Sequence, residues 1–269
     1  MFELPESAVL ARQLNETVKG KSIVSAVANA SPHKFAWYGC DPNAYGDMVN
    51  GRKICGARAV GGYVLLEADD ATMYFHDGVN LRYLAPNVPA PVKHQLLLSL
   101  SDGSHLYATV SMYGGLDVYT AENDNPYYVV ARDKPSPMTE AFDEAYFDAL
   151  VSESKPSLSA KALLATEQRI PGLGNGVLQD ILFHAHIAPM KKTGTMTDAD
   201  RENLFASIKT QLSAMFALGG RNTENDLLGV AGDYRTLRTC PACPVCGGLI
   251  TRKAYLGGHV YYCAHCQQV

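Results

Sequence analysis

No apolar run in the chain approaches the roughly 18 residues that a membrane-spanning helix needs, so no membrane partner is expected. The opening residues Met1-Phe2-Glu3-Leu4-Pro5-Glu6 carry two acids and no base, unlike the basic start of a secretory signal, and the expected location is cytoplasmic. There is no internal repeat and no low-complexity tract. Cysteine is scarce outside the tail. Of seven in the chain, five follow residue 239, and the odd total argues against a disulfide framework. Positive charge is also in short supply: the formal net charge is -4, which on average speaks against a polyanionic partner.

What is present is enough for a buried core. The chain has 269 residues, 47% hydrophobic and 19% charged, the size of one large domain or two ordinary ones. Its charge is uneven. Residues 1–149 carry 11 Lys and Arg against 18 Asp and Glu, whereas residues 150–269 carry 12 against 9. If the chain binds a polyanion, the second half is expected to supply more of the attraction.

Apolar spacing predicts a helix over 6–18, closed by Gly20. From Ile23 to about Tyr119 the pattern becomes short β-type runs, among them Tyr63 to Glu67, Thr72 to Phe75, Gln95 to Leu100 and His105 to Met112. Turn signals at Ala68-Asp69-Asp70, Ser101-Asp102-Gly103 and Gly114-Gly115 separate them, suggesting a sandwich or barrel. Asn125-Pro126 and Pro135-Ser136-Pro137 mark a domain boundary. Helical periodicity follows over 140–151, 158–167, 175–186 and 198–218, the last stopped by Gly219-Gly220. Residues 221–239 form a connection too long to be idle.

The tail carries the most specific pattern. Cys243-Pro244-Val245-Cys246 and Cys263-Ala264-His265-Cys266 are two C-x2-C pairs separated by residues 247–262. Such pairs supply four thiolates for a tetrahedral Zn²⁺, and four protein ligands leave no open position, so the ion is expected to be structural. A Cys240/Cys243 pair fits the spacing as well, but Gly247 eases a turn after Cys246 and favours 243/246. The residues between read as two strands, 249–253 and 259–262, joined at Leu256-Gly257-Gly258. A second, weaker motif is Gly172-Leu173-Gly174-Asn175 at the start of an apolar-periodic helix, where free N–H groups suit an anion such as phosphate.

Taken together, the Glu3-Leu4-Pro5-Glu6 start, the β-rich first half, the Gly172-Leu173-Gly174-Asn175 helix start and the four-cysteine tail ending in Cys266-Gln267 resemble the Fpg/Nei family of formamidopyrimidine-DNA glycosylases and endonucleases VIII. The resemblance spans essentially the whole chain and implies an α+β protein. Residues 1–134 would form an N-terminal β-sandwich with a leading helix, 135–239 a helix–two-turn–helix domain, and 240–269 a zinc ribbon hairpin. It implies binding of damaged double-stranded DNA by a monomer associated with the nucleoid, and excision of a base flipped out of the stack, whose bond is otherwise out of reach.

Carried over by position, Glu3 matches the catalytic carboxylate and Glu6 its supporting acid. DNA contacts would fall on Gly174, Asn175, Lys161, Arg252 and the wedge residue Tyr113, and Cys243, Cys246, Cys263 and Cys266 would hold Zn²⁺. The departures fall on the chemistry. The family's nucleophile is an N-terminal amine, usually proline, at the position of Phe2. Met1 is expected to stay, which moves the free amine one residue outward, about 3.8 Å, and defeats covalent attack unless the terminus folds back; with Met1 removed, Phe2 would present a primary amine still able to form a Schiff base. A Lys, an Arg at the ribbon tip and an Arg beside the wedge are replaced by Gly62, Gly258 and Met112. Three readings stay open: a hydrolytic glycosylase with weak or absent lyase activity, a non-catalytic binder of damaged DNA, and a zinc-ribbon scaffold with a protein partner. The Tyr127-Tyr128 pair is expected to pack between domains rather than stack on bases.

Overall fold

The computed structural model describes residues 2–267, so the expectation about Met1 lies outside the described residues. The first helix, α1 (Leu4–Thr17), has proline in its first turn, where a missing N–H costs nothing, and buries Val9, Leu10 and Leu14. The strands that follow are β1 (Ile23–Ala28), β2 (Ala36–Trp37), β3 (Ile54–Val60), β4 (Tyr63–Ala68), β5 (Ala71–Leu84), β6 (Leu96–Leu100) and β7 (His105–Tyr119), with a short helix α2 (Tyr45–Val49) after β2. Their hydrogen-bonded order is β1-β6-β7-β5-β4-β3, with β2 added in parallel to β7.

The paired strands β5 and β7 are the spine of an N-terminal β-sandwich. Their register shifts between Asp77 and Val79. On one side of that bulge β5 carries β4 and β3; on the other, β7 carries β6 and β1. A bulge bends and twists a strand, which lets one ribbon serve both layers. The core between them includes Leu66, Phe75, Leu81, Leu98, Leu106 and Leu116.

One turn signal proves to be something else. Gly114-Gly115, expected as a turn, lies inside β7 and pairs with Ala36 and Trp37. The glycines are there for room: a Cβ on Gly115 would lie 1.8 Å from His76 Nε2. Asn125-Pro126, read as part of a domain boundary, starts helix α3 (Pro126–Asp133), where the Asn125 side chain accepts the Tyr127 N–H at 3.0 Å.

The second half holds helices α4 (Glu144–Ser152), α5 (Ala160–Ala165), α6 (Leu178–His184) and α7 (Asp198–Ala217). The last opens with a Thr197–Asp200 capping box and ends at Gly219 and Gly220, both with positive φ. These helices enclose a second core around Phe142, Phe147, Leu178, Ile181 and Leu212. The two cores exchange residues: Leu4 of α1 belongs to the helical core, and Leu227 of the long connection belongs to the sandwich core. The tail folds as the expected hairpin, β8 (Ile250–Tyr255) and β9 (Gly258–Cys263), seated on Phe183 and Leu237. Among the described residues, no helix is long and apolar enough to cross a membrane.

Candidate active site

The N-terminus of α1 enters the seam between the two halves. The Leu4 N–H donates to Gly172 O at 2.9 Å, and Ser7 Oγ donates to Gly61 O at 2.7 Å. Here the backbones touch: a Cβ on Gly172 would lie 2.4 Å from the Gly61 carbonyl carbon. Glu3, just before the helix, is thereby carried under the glycine-rich turn. Its Oε1 accepts the Gly176 N–H at 2.8 Å, and its Oε2 accepts those of Val177 at 2.8 Å and Gly174 at 3.2 Å. The anion site foreseen at this helix start is thus filled from within the chain by the Glu3 carboxylate.

Behind Glu3 stands a cation that the motif did not reveal. Arg221 is 2% exposed; its Nε and one terminal nitrogen grip Glu6 at 2.8 and 2.7 Å, and the other terminal nitrogen is 3.5 Å from Glu3 Oε1. Two buried carboxylates thus share one guanidinium in a bidentate grip. Burial pushes the Glu3 carboxyl above its ordinary value, while Arg221 and the N–H groups of Gly176 and Val177 pull it back. Arg221 directly follows Gly219-Gly220 in the long connection, the one signal that could have singled it out.

Phe2 is 8% exposed and packs into the sandwich core. Its nitrogen donates to Asp77 O at 2.8 Å. Beside Phe2 and Glu3 opens a cleft of about 700 Å³ between the halves of the molecule, reaching from Gly172 to Trp37 and Tyr113. A second unforeseen cluster stands in its wall. His76 on β5 lies with Nδ1 2.8 Å from Asp77 and Nε2 3.2 Å from Asp117 of β7. Burial opposes its protonation, but the two carboxylates overcome this and push its pKa up to about 9.

The remaining candidates are scattered. Tyr113 lies at the mouth of the cleft with its ring 5.8 Å from Trp37. Asn175 is exposed, and its Nδ2 donates to His259 O of the ribbon at 2.9 Å; Gly258 lies against the same side chain. Arg252 is exposed on β8, 3.1 Å from His259 Nε2. Lys161 departs from the expectation of a DNA contact. It is 3% exposed, and its ammonium donates to the Tyr255 and Leu256 carbonyls, so it ties the hairpin tip to α5. The Tyr127-Tyr128 pair divides. Tyr128 packs against Tyr63 and Tyr74 within the sandwich half and not between domains, whereas Tyr127 is 66% exposed and lines the cleft.

The thiols of Cys243, Cys246, Cys263 and Cys266 all lie within 4.8 Å of one another, with 3.7 Å between Cys243 and Cys266 and 3.5 Å between Cys246 and Cys263. Four sulfurs each about 2.3 Å from a Zn²⁺ would stand roughly 3.8 Å apart, so the donor set fits a metal ion. Cys240 is outside this group, with its thiol on Thr236 O.

A sandwich and a helical domain thus share one cleft that Glu3 lines, and a four-thiol ribbon follows them in the chain. The model of the formamidopyrimidine-DNA glycosylase N-terminal domain matches residues 1–109. Over the full length of both chains, the sequence is 29% identical to the formamidopyrimidine-DNA glycosylase of Methylococcus capsulatus and 27% identical to that of Lactococcus lactis subsp. cremoris. A solved complex of Lactococcus lactis Fpg with DNA containing an abasic site superposes with a TM-score of 0.83 at 26% identity, covering 99% of this chain and all of that one. Along its whole length the chain is thus similar, in sequence and in fold, to formamidopyrimidine-DNA glycosylases.

Proposed function

We propose that the protein binds damaged double-stranded DNA as a monomer and excises a flipped damaged base by hydrolysis of the N-glycosidic bond, with the lyase step weak or absent. In this reading residues 1–134 and 135–239 are the two walls of the DNA cleft. Residues 240–269 are a ribbon whose four cysteines hold a structural zinc ion. The ion would fix the hairpin and take no part in the reaction.

The observation that carries this reading is the contrast at the floor of the cleft. The Glu3 carboxylate borders the cavity, whereas the Phe2 nitrogen is taken up by the Asp77 carbonyl. Glu3 is buried beside the cavity, where a carboxylate can take a proton from a water attacking C1′ of the sugar. The Phe2 nitrogen, at the position of the family's nucleophile, already donates to Asp77 O, and with Met1 retained it would be a peptide N–H and not an amine. Tyr113 is placed to fill the gap left by the flipped base. Asn175 and Arg252 face outward on the side where phosphates would lie. The full occupation of Glu3 by three N–H groups favours one second reading, a binder that no longer cuts.

The test is incubation with duplexes that each carry one lesion, followed by alkali or by borohydride. Strand breaks that appear only after alkali are expected, with no borohydride-trapped complex. Glu3→Gln is expected to slow release by about 10²–10⁴-fold, the usual contribution of a positioned acid or base. A trapped covalent complex would show that an amine reaches the sugar. Tight binding without release would move the protein to the second reading.

A further inference from the structure

The lining of the cleft has an unusual composition for a surface that must meet DNA. Seven of its nineteen residues are Phe, Trp or Tyr, three are carboxylates, and none among the described residues is Lys or Arg. Trp37 and Tyr113 stand 5.8 Å apart at the mouth, and the Tyr63 ring lies 4.7 Å from that of His76 deeper in. Asp77 and Asp117 hold His76 between them, so even a protonated imidazole leaves that wall negative. Such a surface repels phosphate. It suits a flat cation, because the face of an aromatic ring is negative and attracts positive charge within about 6 Å, more strongly where water is excluded.

We propose that the flipped base taken by this cleft is itself a cation, a purine alkylated on a ring nitrogen. This rests on the glycosylase reading above and names its substrate class. The chemistry agrees with what the site lacks. As the C1′–N9 bond of an N7-alkylpurine breaks, its electron pair moves onto the base and cancels the positive charge, so the leaving purine needs no proton. Water forms the new C1′–O bond, and its proton passes to the Glu3 carboxylate and on to solvent. No amine nucleophile enters the step, and the Phe2 nitrogen is already donating to Asp77 O. The departing base begins as the positive partner of Asp77 and Asp117.

The test uses duplexes with a single N7-methylguanine, a single 8-oxoguanine or a tetrahydrofuran abasic analogue, with spontaneous depurination subtracted. N7-Methylguanine is expected to leave at least about tenfold faster than 8-oxoguanine, the size of one desolvated cation–π or carboxylate contact. Asp117→Asn is expected to reduce that ratio by about tenfold, and a ratio taken within one preparation cancels any difference in folded fraction. If both lesions are bound and neither is released, the ratio of their Kd values reads the same preference. Equal or faster release, or equal or tighter binding, of 8-oxoguanine would overturn the inference and leave the glycosylase reading standing. Failure to bind the abasic duplex and both lesions would overturn the two together.

Discussion

Two acidic clusters lie at the same cleft, and each sets two carboxylates against one cation. At the floor, Glu3 and Glu6 share Arg221; in the wall, Asp77 and Asp117 share His76. They differ in the kind of cation. A guanidinium is charged at every accessible pH and grips Glu6 with two nitrogens, so the floor is a fixed charge pattern. An imidazole titrates, so the wall changes its charge with pH. The floor can therefore hold Glu3 in one place, while the wall can be tuned. A cleft that performs hydrolysis needs the first property, and a cleft that selects its base can use the second.

The comparison breaks most sharply at Arg221. Arg221→Met should strand two buried carboxylates and cost about 3–5 kcal/mol, read from the urea midpoint. A loss under about 1 kcal/mol would mean that the pair simply takes up protons and that the floor is no more fixed than the wall. The next effect belongs to His76. Its pKa in the fold, about 9, is raised above the ordinary 6.5. A raised pKa means that the protonated form is favoured by folding. The stabilisation, on the order of 2 kcal/mol, should be complete below about pH 6.5 and lost as pH rises through about 9. The difference in unfolding free energy between the wild type and His76→Asn, followed over that window, isolates it. A constant difference would make the wall as fixed as the floor.

The smallest effect lies outside both clusters, where the surface has lost cations. Gly258 sits at the ribbon tip beside Asn175, whose Nδ2 would be 3.1 Å from an added Cβ, a flexible neighbour that can give way. Gly258→Arg should add one phosphate contact and steepen the dependence of log K on log salt by about 0.9. An unchanged slope would show that the tip does not reach the backbone.

Much of the site was legible because it is local in the chain. The C-x2-C pairs, the Glu3–Glu6 start and the Gly172–Asn175 turn are short patterns whose chemistry follows from spacing, and all were read from sequence. The sandwich was legible from its strand runs, although the length of β5 and β7 was not, since a bulged strand reads as two strands and a turn. The cations were illegible for a different reason. Arg221 is separated from Glu3 by more than two hundred positions, and His76 meets Asp117 only through the register of β5 on β7. Neither pairing has a sequence period. Gly114-Gly115 was misread because glycine signals room as well as a bend, and here the room is for His76. Lys161 was placed on DNA by position, yet burial beneath the ribbon tip decides its partner.

The glycine seam at Gly61 and Gly172 has a mechanical consequence. Where two halves of a molecule meet through side chains, their separation can drift as those side chains are exchanged for larger or smaller ones. Here they also meet backbone to backbone at Gly61 and Gly172, beside the Leu4 N–H to Gly172 O hydrogen bond. The jaw therefore has a hard stop. At that point there is no side chain to exchange for a smaller one, so the closeness of the two halves there is set by the backbone.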